Sequence, residues 1–455
     1  MSDTLMISVS GMRGHVGTDL TPELVARHAA ALGAWARASG HAAVVLGRDS
    51  RTSGPMFSAA ASAGLMSVGC RVIDLGVVPT PTVQLAVTHH KAGAGLILTA
   101  SHNPVEWNAL KLLGPDGVFL DAAAGTAVRA LADQGPPRAG WDGLGSVTED
   151  RNAIGRHLEA ILALPEVDVR AIRRRKFHVA IDCVRGAGGL VIPQLLERLH
   201  CQVSAINLEA DGRFPREPEP IPENLGALGN LVRATGADIG MAVDPDVDRL
   251  ALVDERGEAI GEDYTLAFAV RAVLRGAGSA LGPSLVVANL STSLVVEDAA
   301  GEGGARFLRS PVGEAHVARM MIDEDALIGG EGNGGVMLPA FHVGRDAPLG
   351  VALILQYLAV ESRPVSALVA AAPRYKIVKA KVQRGSDLQV AYAALKKRFP
   401  NASADERDGL RLAWANRWVH LRPSGTEPVV RFIAEAPTEA EAQELIDVCR
   451  TLLQS

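Results

Sequence analysis

With 455 residues, 48% of them hydrophobic, the chain is too long for a single core and is expected to fold as a soluble, globular protein of three or four domains. A net charge of −6 with no dense Lys/Arg stripe argues against a nucleic-acid surface, and the longest strongly apolar run, "LGVALILQYLAV", falls well short of the roughly 18 residues of a membrane span. "MSDTLMISVSGMRG" lacks the basic, apolar and cleavage regions of a signal peptide, so a cytoplasmic location is expected.

In chain order, short β-branched runs alternate with Ala-rich amphipathic stretches. "HAAVVLG" is expected as a strand and "GPMFSAAASAGLMSVG" as the helix after it; "KFHVAIDCV" and "GGLVIPQLLERLHC" repeat the pair. "ADIGMAVDPD", then "PSLVVANLS" with "TSLVVEDAAGE", continue the rhythm, so a series of mixed α/β units is expected rather than one barrel. From about Pro373 the chain reads strand, helix, strands and a closing amphipathic helix, "PTEAEAQELIDVCRTLLQ". Clusters of Gly, Pro and charge mark the breaks, giving expected units over 1–145, 146–254, 255–370 and 371–455. The literal sequence shows no internal repeat. The basic run "RAIRRRKF" is expected at a solvated domain junction. Cys70, Cys183, Cys201 and Cys449 lie far apart with no CxxC pair, which indicates buried packing residues rather than a zinc ribbon or a disulfide framework.

Four stretches carry chemistry. "LILTASHNPVEWNALKLL" places Ser101 and His102 where a strand should end, with Lys111 within reach. Ser, Asn and Pro also form ordinary polar turns, but in α/β units chemistry collects at the carboxyl ends of strands, where a serine can act as nucleophile or phosphoryl carrier. No G-x-S-x-G elbow supports esterase chemistry. In "MAVDPDVDRLALVD", Asp244, Asp246 and Asp248 can converge on a hard cation. An EF-hand is rejected because Arg249 stands where that loop needs Gly, and "LALV" reads as a strand. A solvated acidic turn is the bland alternative, but apolar flanks make such a cluster costly without a cation, and Mg²⁺, completing its shell with phosphate or water, fits better than Ca²⁺. "IGGEGNGGVMLPAFHVGRDA" offers Glu331 and Asn333 in a glycine-rich loop suited to vicinal sugar hydroxyls, or is a flexible linker. "VHLRPSGTEPVVRF" sets Arg422, Ser424, Gly425 and Thr426 in a turn after a strand, either a phosphate cradle or a helix-capping turn, although no good helix follows.

Together and in this order, these stretches resemble the α-D-phosphohexomutases over essentially the whole chain. "TASHNP" resembles the family's phosphoserine loop, "DPDVDR" its metal loop, usually D-G-D-G-D-R, "GEGNGG" its sugar loop and "RPSGTEP" its phosphate loop. The resemblance implies a four-domain, heart-shaped α/β fold: three related mixed α/β domains and a smaller C-terminal α+β domain, each lending one loop to a central cleft. It implies that Ser101 carries the phosphoryl group and, with Asp244, Asp246 and Asp248, binds one Mg²⁺ per chain. His102 and Lys111 would assist proton movement and charge balance, Arg249 would face the same phosphate, and Arg13 in "SGMRG" matches a position near the active site. Glu331 and Asn333 would hold sugar hydroxyls; Arg422, Ser424, Gly425 and Thr426 would hold the phosphate that is not reacting. The reaction implied interconverts hexose 6-phosphate and hexose 1-phosphate through a hexose 1,6-bisphosphate that serves as intermediate and activator.

Two departures shape the expectation of substrate. Asn333 and Gly335 stand where many bacterial members carry Ser and His, so a contact often made by that His is absent or supplied by another residue such as His342. Pro245 and Val247 replace the usual metal-loop glycines and are expected to stiffen the turn. "TASHNPVEWNALKLL" with "GGEGNGG" looks closest to the phosphoglucosamine mutases, with phosphomannomutase/phosphoglucomutase as the alternative. A non-catalytic sugar-phosphate binder and a metal-dependent phosphatase using the same serine are the readings of a different class. Neither a nucleic-acid nor a membrane partner is expected.

Overall fold

A computed structural model describes residues 5–8, 11–277, 284–383, 388–423 and 429–454. Its strands form four sheets. The first contains β1 (Met6–Ser8), β2 (Gly11–His15), β3 (Ala43–Arg48), β4 (Arg71–Val77), β5 (Ala94–Leu98), β6 (Trp107–Leu113) and β7 (Val147–Glu149), in the order β1-β2-β6-β5-β3-β4-β7. The second contains β8 (His178–Asp182), β9 (Gln202–Ile206), β10 (Ile239–Val243) and β11 (Leu250–Val253), ordered β11-β10-β8-β9. In the third, β12 (Leu285–Asn289), β13 (Arg306–Ser310), β14 (Ile328–Glu331) and β15 (Gly335–Met337) are ordered β13-β12-β14-β15. The fourth is wholly antiparallel: β16 (Lys376–Gln383), β17 (Ser403–Asp405), β18 (Leu410–Trp414), β19 (Arg417–Pro423) and β20 (Val429–Ala436), ordered β16-β20-β19-β18-β17.

The first three sheets share one motif that the literal sequence does not display. β3, β8 and β12 each lie between two parallel neighbours, and the later neighbour (β5, β10 or β14) turns back into an antiparallel strand (β6, β11 or β15), which is the sheet edge in the second and third sheets and is extended by β2 and β1 in the first. The three chemistry-bearing loops occupy the same place in each repeat, at the carboxyl end of that later strand, where open α/β sheets bind ligands. β5, β10 and β12 are buried along their whole length, which is why their sequences run apolar instead of alternating.

Helices flank these sheets and begin where capping residues stop the chain. Thr21 accepts from the Leu24 N–H ahead of the helix Pro22–Ala38, and Asp346 from the Leu349 N–H ahead of Ala347–Glu361. The latter contains "LGVALILQYLAV". It is apolar all round because it is buried nearly all round, in one core shared by the second and third sheets with Leu250, Leu266 and Phe268. Among the described residues no single helix is long and apolar enough to cross a membrane. "RAIRRRKF" forms the short helix Val169–Arg175 instead of an open junction, with Arg173 donating to the Arg198 carbonyl and Arg175 to Ser362. Cys70, Cys183 and Cys449 are buried and free; Cys201 is only half-buried.

Candidate active site

Ser101 begins the turn after β5 with φ at +48°, a left-handed conformation that strains a residue bearing a Cβ. The surrounding bonds hold it there. Its N–H donates to Thr99 Oγ1 (2.9 Å), and its hydroxyl donates to Asp244 Oδ2 (2.8 Å) across the boundary between the first two sheets. Fully buried Arg51 staples the loop from below: its guanidinium donates to the carbonyls of Ser101, Asn103, Pro104 and Trp107 and pairs with Asp49 at 3.0 Å. Arg13 donates to Asn103 Oδ1 from the side (2.6 Å).

Asp244, Asp246 and Asp248 are fully buried, and one oxygen from each lies within 4.8 Å of the others. Asp244 Oδ1 accepts from the N–H groups of Asp248 and Arg249, which folds the loop around it. Lys111 Nζ donates to Asp246 Oδ2 at 2.7 Å and lies 3.8 Å from Asp248, while Thr80 Oγ1 donates to the same Asp246 oxygen. Burial, then the charges of Asp248 and Asp246, push the Asp244 carboxyl well up. Burial would raise Asp246 too, but the charge and hydrogen bond of Lys111 with the hydrogen bonds of Asp244 and Thr80 together hold it well below the usual carboxylate range. Asp246 Oδ1 and Asp248 Oδ1 remain buried with no hydrogen-bond partner. Three carboxylates met by Lys111 and by Arg345, whose Nη2 donates to Asp248 at 2.6 Å, still keep two orphaned oxygens, and that fits a hard divalent cation.

In the metal loop, one of the two positions where glycine is usual is strained. Val247 sits at φ +61°, the region glycine adopts freely, so a buried β-branched residue holds this turn under strain.

His102 lines the cleft with Nδ1 buried and unpartnered. Burial, then the charges of Arg249 and Arg13, push its imidazole down to about 2. The shift favours the neutral ring, and the cations beside it are Arg249, Arg13 and Arg345. Arg249 donates to Glu219 (3.1 Å) and lines the cleft on both sides of His102.

Glu331, at the end of β14, accepts from Asn289 Nδ2 (2.8 Å) and the Gly313 N–H on one oxygen and from Arg345 Nη1 (2.9 Å) on the other. Burial, the largest influence, would raise its carboxyl, but Arg345, the Asn289 hydrogen bond, Arg249 and the Gly313 N–H together hold it below the usual carboxylate range. Asn333 presents a buried, unpartnered Oδ1 on the same wall. His342 does not replace a side chain at Gly335: it bonds Asp346 at 2.9 Å and lines neither half of the cleft. Arg422 reaches the cleft from the fourth sheet, oriented by Asp408 (2.9 Å), which also accepts from the Val312 N–H of the third unit. Ser424, Gly425 and Thr426 lie outside the described residues.

The cleft runs on both sides of His102 and Arg249. One lobe, about 680 Å³, is walled by Glu331, Asn333, Lys379 and Arg422. The other, about 580 Å³, is walled by Ser101, Arg13, Lys111 and Arg345. Cationic side chains line both lobes, Lys379 and Arg422 in the first and Arg13, Lys111 and Arg345 in the second, with Arg249 in both. Arg345, Thr80, Arg51 and Asp408 are site residues that sequence reasoning did not single out; Arg345 lay inside a quoted stretch, but only the fold turns it inward.

Four family models match in order: "Phosphoglucomutase/phosphomannomutase, alpha/beta/alpha" domains I, II and III over residues 5–138, 155–257 and 261–375, and the family's C-terminal domain over 377–451. The chain is 38% identical over 453 residues to a phosphoglucomutase/phosphomannomutase of Thermococcus kodakarensis, covering 98% of this chain and 97% of that protein. It is also 38% identical over 442 residues to a "Probable phosphoglucosamine mutase" of Methanopyrus kandleri, covering 96% and 95%. A phosphoglucomutase/phosphomannomutase family protein from Burkholderia thailandensis superimposes with a TM-score of 0.86 at 26% identity over 98% of both chains. N-acetylphosphoglucosamine mutase of Aspergillus fumigatus, solved with GlcNAc-6P and magnesium, shares the fold at a TM-score of 0.55 and 16% identity, covering 91% of this chain and 83% of that one.

Proposed function

This chain belongs to the phosphoglucomutase/phosphomannomutase family, and from that premise we propose that it is a cytoplasmic phosphohexomutase that interconverts glucosamine 6-phosphate and glucosamine 1-phosphate. The observation that carries the reading is the strained Ser101 hydroxyl, bonded to Asp244 at 2.8 Å and set between two cation-lined lobes of one cleft. Phospho-Ser101 gives its phosphoryl group to a sugar hydroxyl: the hydroxyl oxygen bonds to phosphorus as the Oγ–P bond breaks, and the hydroxyl proton ends on Ser101 Oγ. The product is a hexose 1,6-bisphosphate, which reverses in the cleft and returns its other phosphate to Ser101, so the chain ends phosphorylated as it began.

Asp244, Asp246 and Asp248, with the phosphate on Ser101, would hold one Mg²⁺, whose charge would neutralise the phosphoryl oxygens. Lys111, Arg249 and Arg13 add fixed positive charge beside them, and phosphoryl transfer needs mainly such charge and positioning. Glu331 and Asn333 accept hydrogen bonds from sugar hydroxyls. Arg422, with Ser424, Gly425 and Thr426, takes the distal phosphate, so either end of the sugar can face Ser101. An ionised Glu331 favours a protonated 2-amino group over an uncharged hydroxyl. The 38%-identical relative named phosphoglucomutase/phosphomannomutase supports mannose and glucose phosphates as the second reading.

The test is a coupled assay of the purified chain with glucosamine, glucose and mannose phosphates in the presence of each bisphosphate. Glucosamine phosphates should give the highest kcat/KM. A clear preference for mannose 6-phosphate would replace the substrate assignment, while near-normal turnover by Ser101→Ala would remove the phosphoserine itself. Intact-mass analysis should find one phosphate on a fraction of the parent chain and none on Ser101→Ala.

A further inference from the structure

Gly335 carries no backbone reason to be glycine. Its φ lies outside the left-handed region, unlike that of Gly334 (+87°), and it pairs in register with Glu331 as an ordinary strand residue. Space is the reason. A Cβ built there would lie 2.2 Å from Arg345 Cδ and 2.7 Å from Cγ, the root of that side chain and not its mobile end. Only glycine leaves room for the Arg345 stem to pass.

The stem delivers a guanidinium into three carboxylates. Nη2 donates to Asp248 Oδ2 (2.6 Å), Nη1 to Glu331 Oε2 (2.9 Å) and Nε to Glu314 Oε2 (3.1 Å), while the Arg345 N–H donates to Glu314 Oε1. The Arg345 and Glu314 side chains are 8% exposed, Glu331 5% and Asp248 not at all, so water does not screen these pairs. Asp246 and Asp248 each keep one buried oxygen with no hydrogen-bond partner, whereas Glu331, which lines the cleft, accepts two bonds on Oε1 and one on Oε2, leaving Oε2 a lone pair. Arg345 thus joins a cation ligand and a sugar ligand through one planar group.

We propose that Arg345 is a positioning residue that holds the sugar-binding Glu331 and the cation-binding Asp248 in one rigid frame, that Gly335 is required to admit it, and that sugar affinity in this chain is therefore set through the Arg345–Glu331 pair. The part that concerns sugar rests on the function proposed above; the packing of Gly335 against Arg345 does not. A lysine at 345 would keep the charge but lose the fork that addresses three acids at once.

The experiment has two arms. In the first, calorimetry measures glucosamine 6-phosphate binding to the unphosphorylated chain, and steady-state assays measure KM and kcat. Arg345→Met should weaken binding and raise KM at least about tenfold, Arg345→Lys by less, and Gly335→Ala as much as Arg345→Met because it expels the same side chain. Adding Arg345→Met to Glu331→Gln should weaken binding little further, since both act on one contact. Fully additive losses, or a KM that stays normal in Gly335→Ala, would overturn the proposal. The second arm needs no substrate: urea unfolding should show Gly335→Ala destabilised in the parent background but neutral in an Arg345→Ala background, where the clash is gone. Equal destabilisation in both backgrounds would refute the packing. If the parent chain turned over no hexose phosphate, the functional reading would fail while this arm still decided the frame. Should Arg345→Met not fold, Arg345→Lys and Gly335→Ala carry the first arm, and Gly335→Ala in the parent background carries the second, where unchanged stability would refute the packing.

Discussion

Arg51→Met replaces a guanidinium that holds the serine loop from inside the protein. The side chain and its partner Asp49 are both 0% exposed, and the guanidinium makes four bonds to carbonyls at 2.6–2.9 Å besides the Asp49 contact at 3.0 Å. Methionine fills most of the volume, so the change removes charge and donors rather than packing. Breaking a buried pair by removing one partner costs about 3–5 kcal/mol. Hydrogen bonds from charged donors are worth about 1.5–3 kcal/mol each, but they are not additive here because the loop relaxes once released. The pair sets a floor of about 3 kcal/mol on the loss. Relaxation is also the functional consequence: Ser101 stores about 1–3 kcal/mol of strain at φ +48°, and the Arg51 bond to its carbonyl opposes the release of that strain. Urea unfolding followed by circular dichroism should show the loss of at least about 3 kcal/mol, with turnover and phosphate incorporation at Ser101 down at least about tenfold in the folded protein. Asp49→Asn in the same chain should recover part of the stability, because no unpaired charge is then left buried, but none of the turnover. A loss under about 1 kcal/mol with normal turnover would refute the staple.

Val247→Gly should be far milder than a usual buried Val→Gly: relief of about 1–3 kcal/mol of left-handed strain offsets most of the roughly 1.5–3 kcal/mol of lost apolar burial. A measured loss above about 3 kcal/mol would show that the turn is not strained. Lys111→Met should enlarge the rise in unfolding midpoint on adding Mg²⁺, because the cation then faces Asp246 and Asp248 without a competitor 2.7 Å from the first; an unchanged or smaller rise would separate Lys111 from that site. Burial raises the Asp263 carboxyl to about 8. Because the folded value lies above the unfolded one, near 3.9, its contribution is complete below about pH 4 and is lost as pH rises toward 8. The stability of the parent chain relative to Asp263→Asn should therefore fall between pH 5 and pH 8, and a flat difference would show that Asp263 does not titrate there.

The residues proposed to do the chemistry were legible in the sequence because short-range pattern carries them. Ser101 follows an apolar run that had to be a buried strand, and the three aspartates alternate within five residues, so their convergence needed no knowledge of the rest of the fold. The rhythm of apolar runs likewise implied mixed α/β units before any sheet was seen. Contacts across long separations were not legible. The threefold recurrence of one strand order is topological: buried strands accept many apolar sequences of the right volume, so the repeat survives in hydrogen-bonding order without surviving in letters. Arg51 reads as an ordinary polar residue and Arg345 as part of a loop; each matters because folding brings it to partners as far as 56 or 97 positions away and excludes water from the meeting place. The strain at Val247 also needed the structure, since a left-handed φ is not written in the residue type. What the sequence by itself determined was which groups this protein possesses and which loops carry them. The tertiary structure decided which groups are buried together, and because charge–charge and hydrogen-bond energies grow as water is excluded, that decision sets their protonation, their strain and their partners.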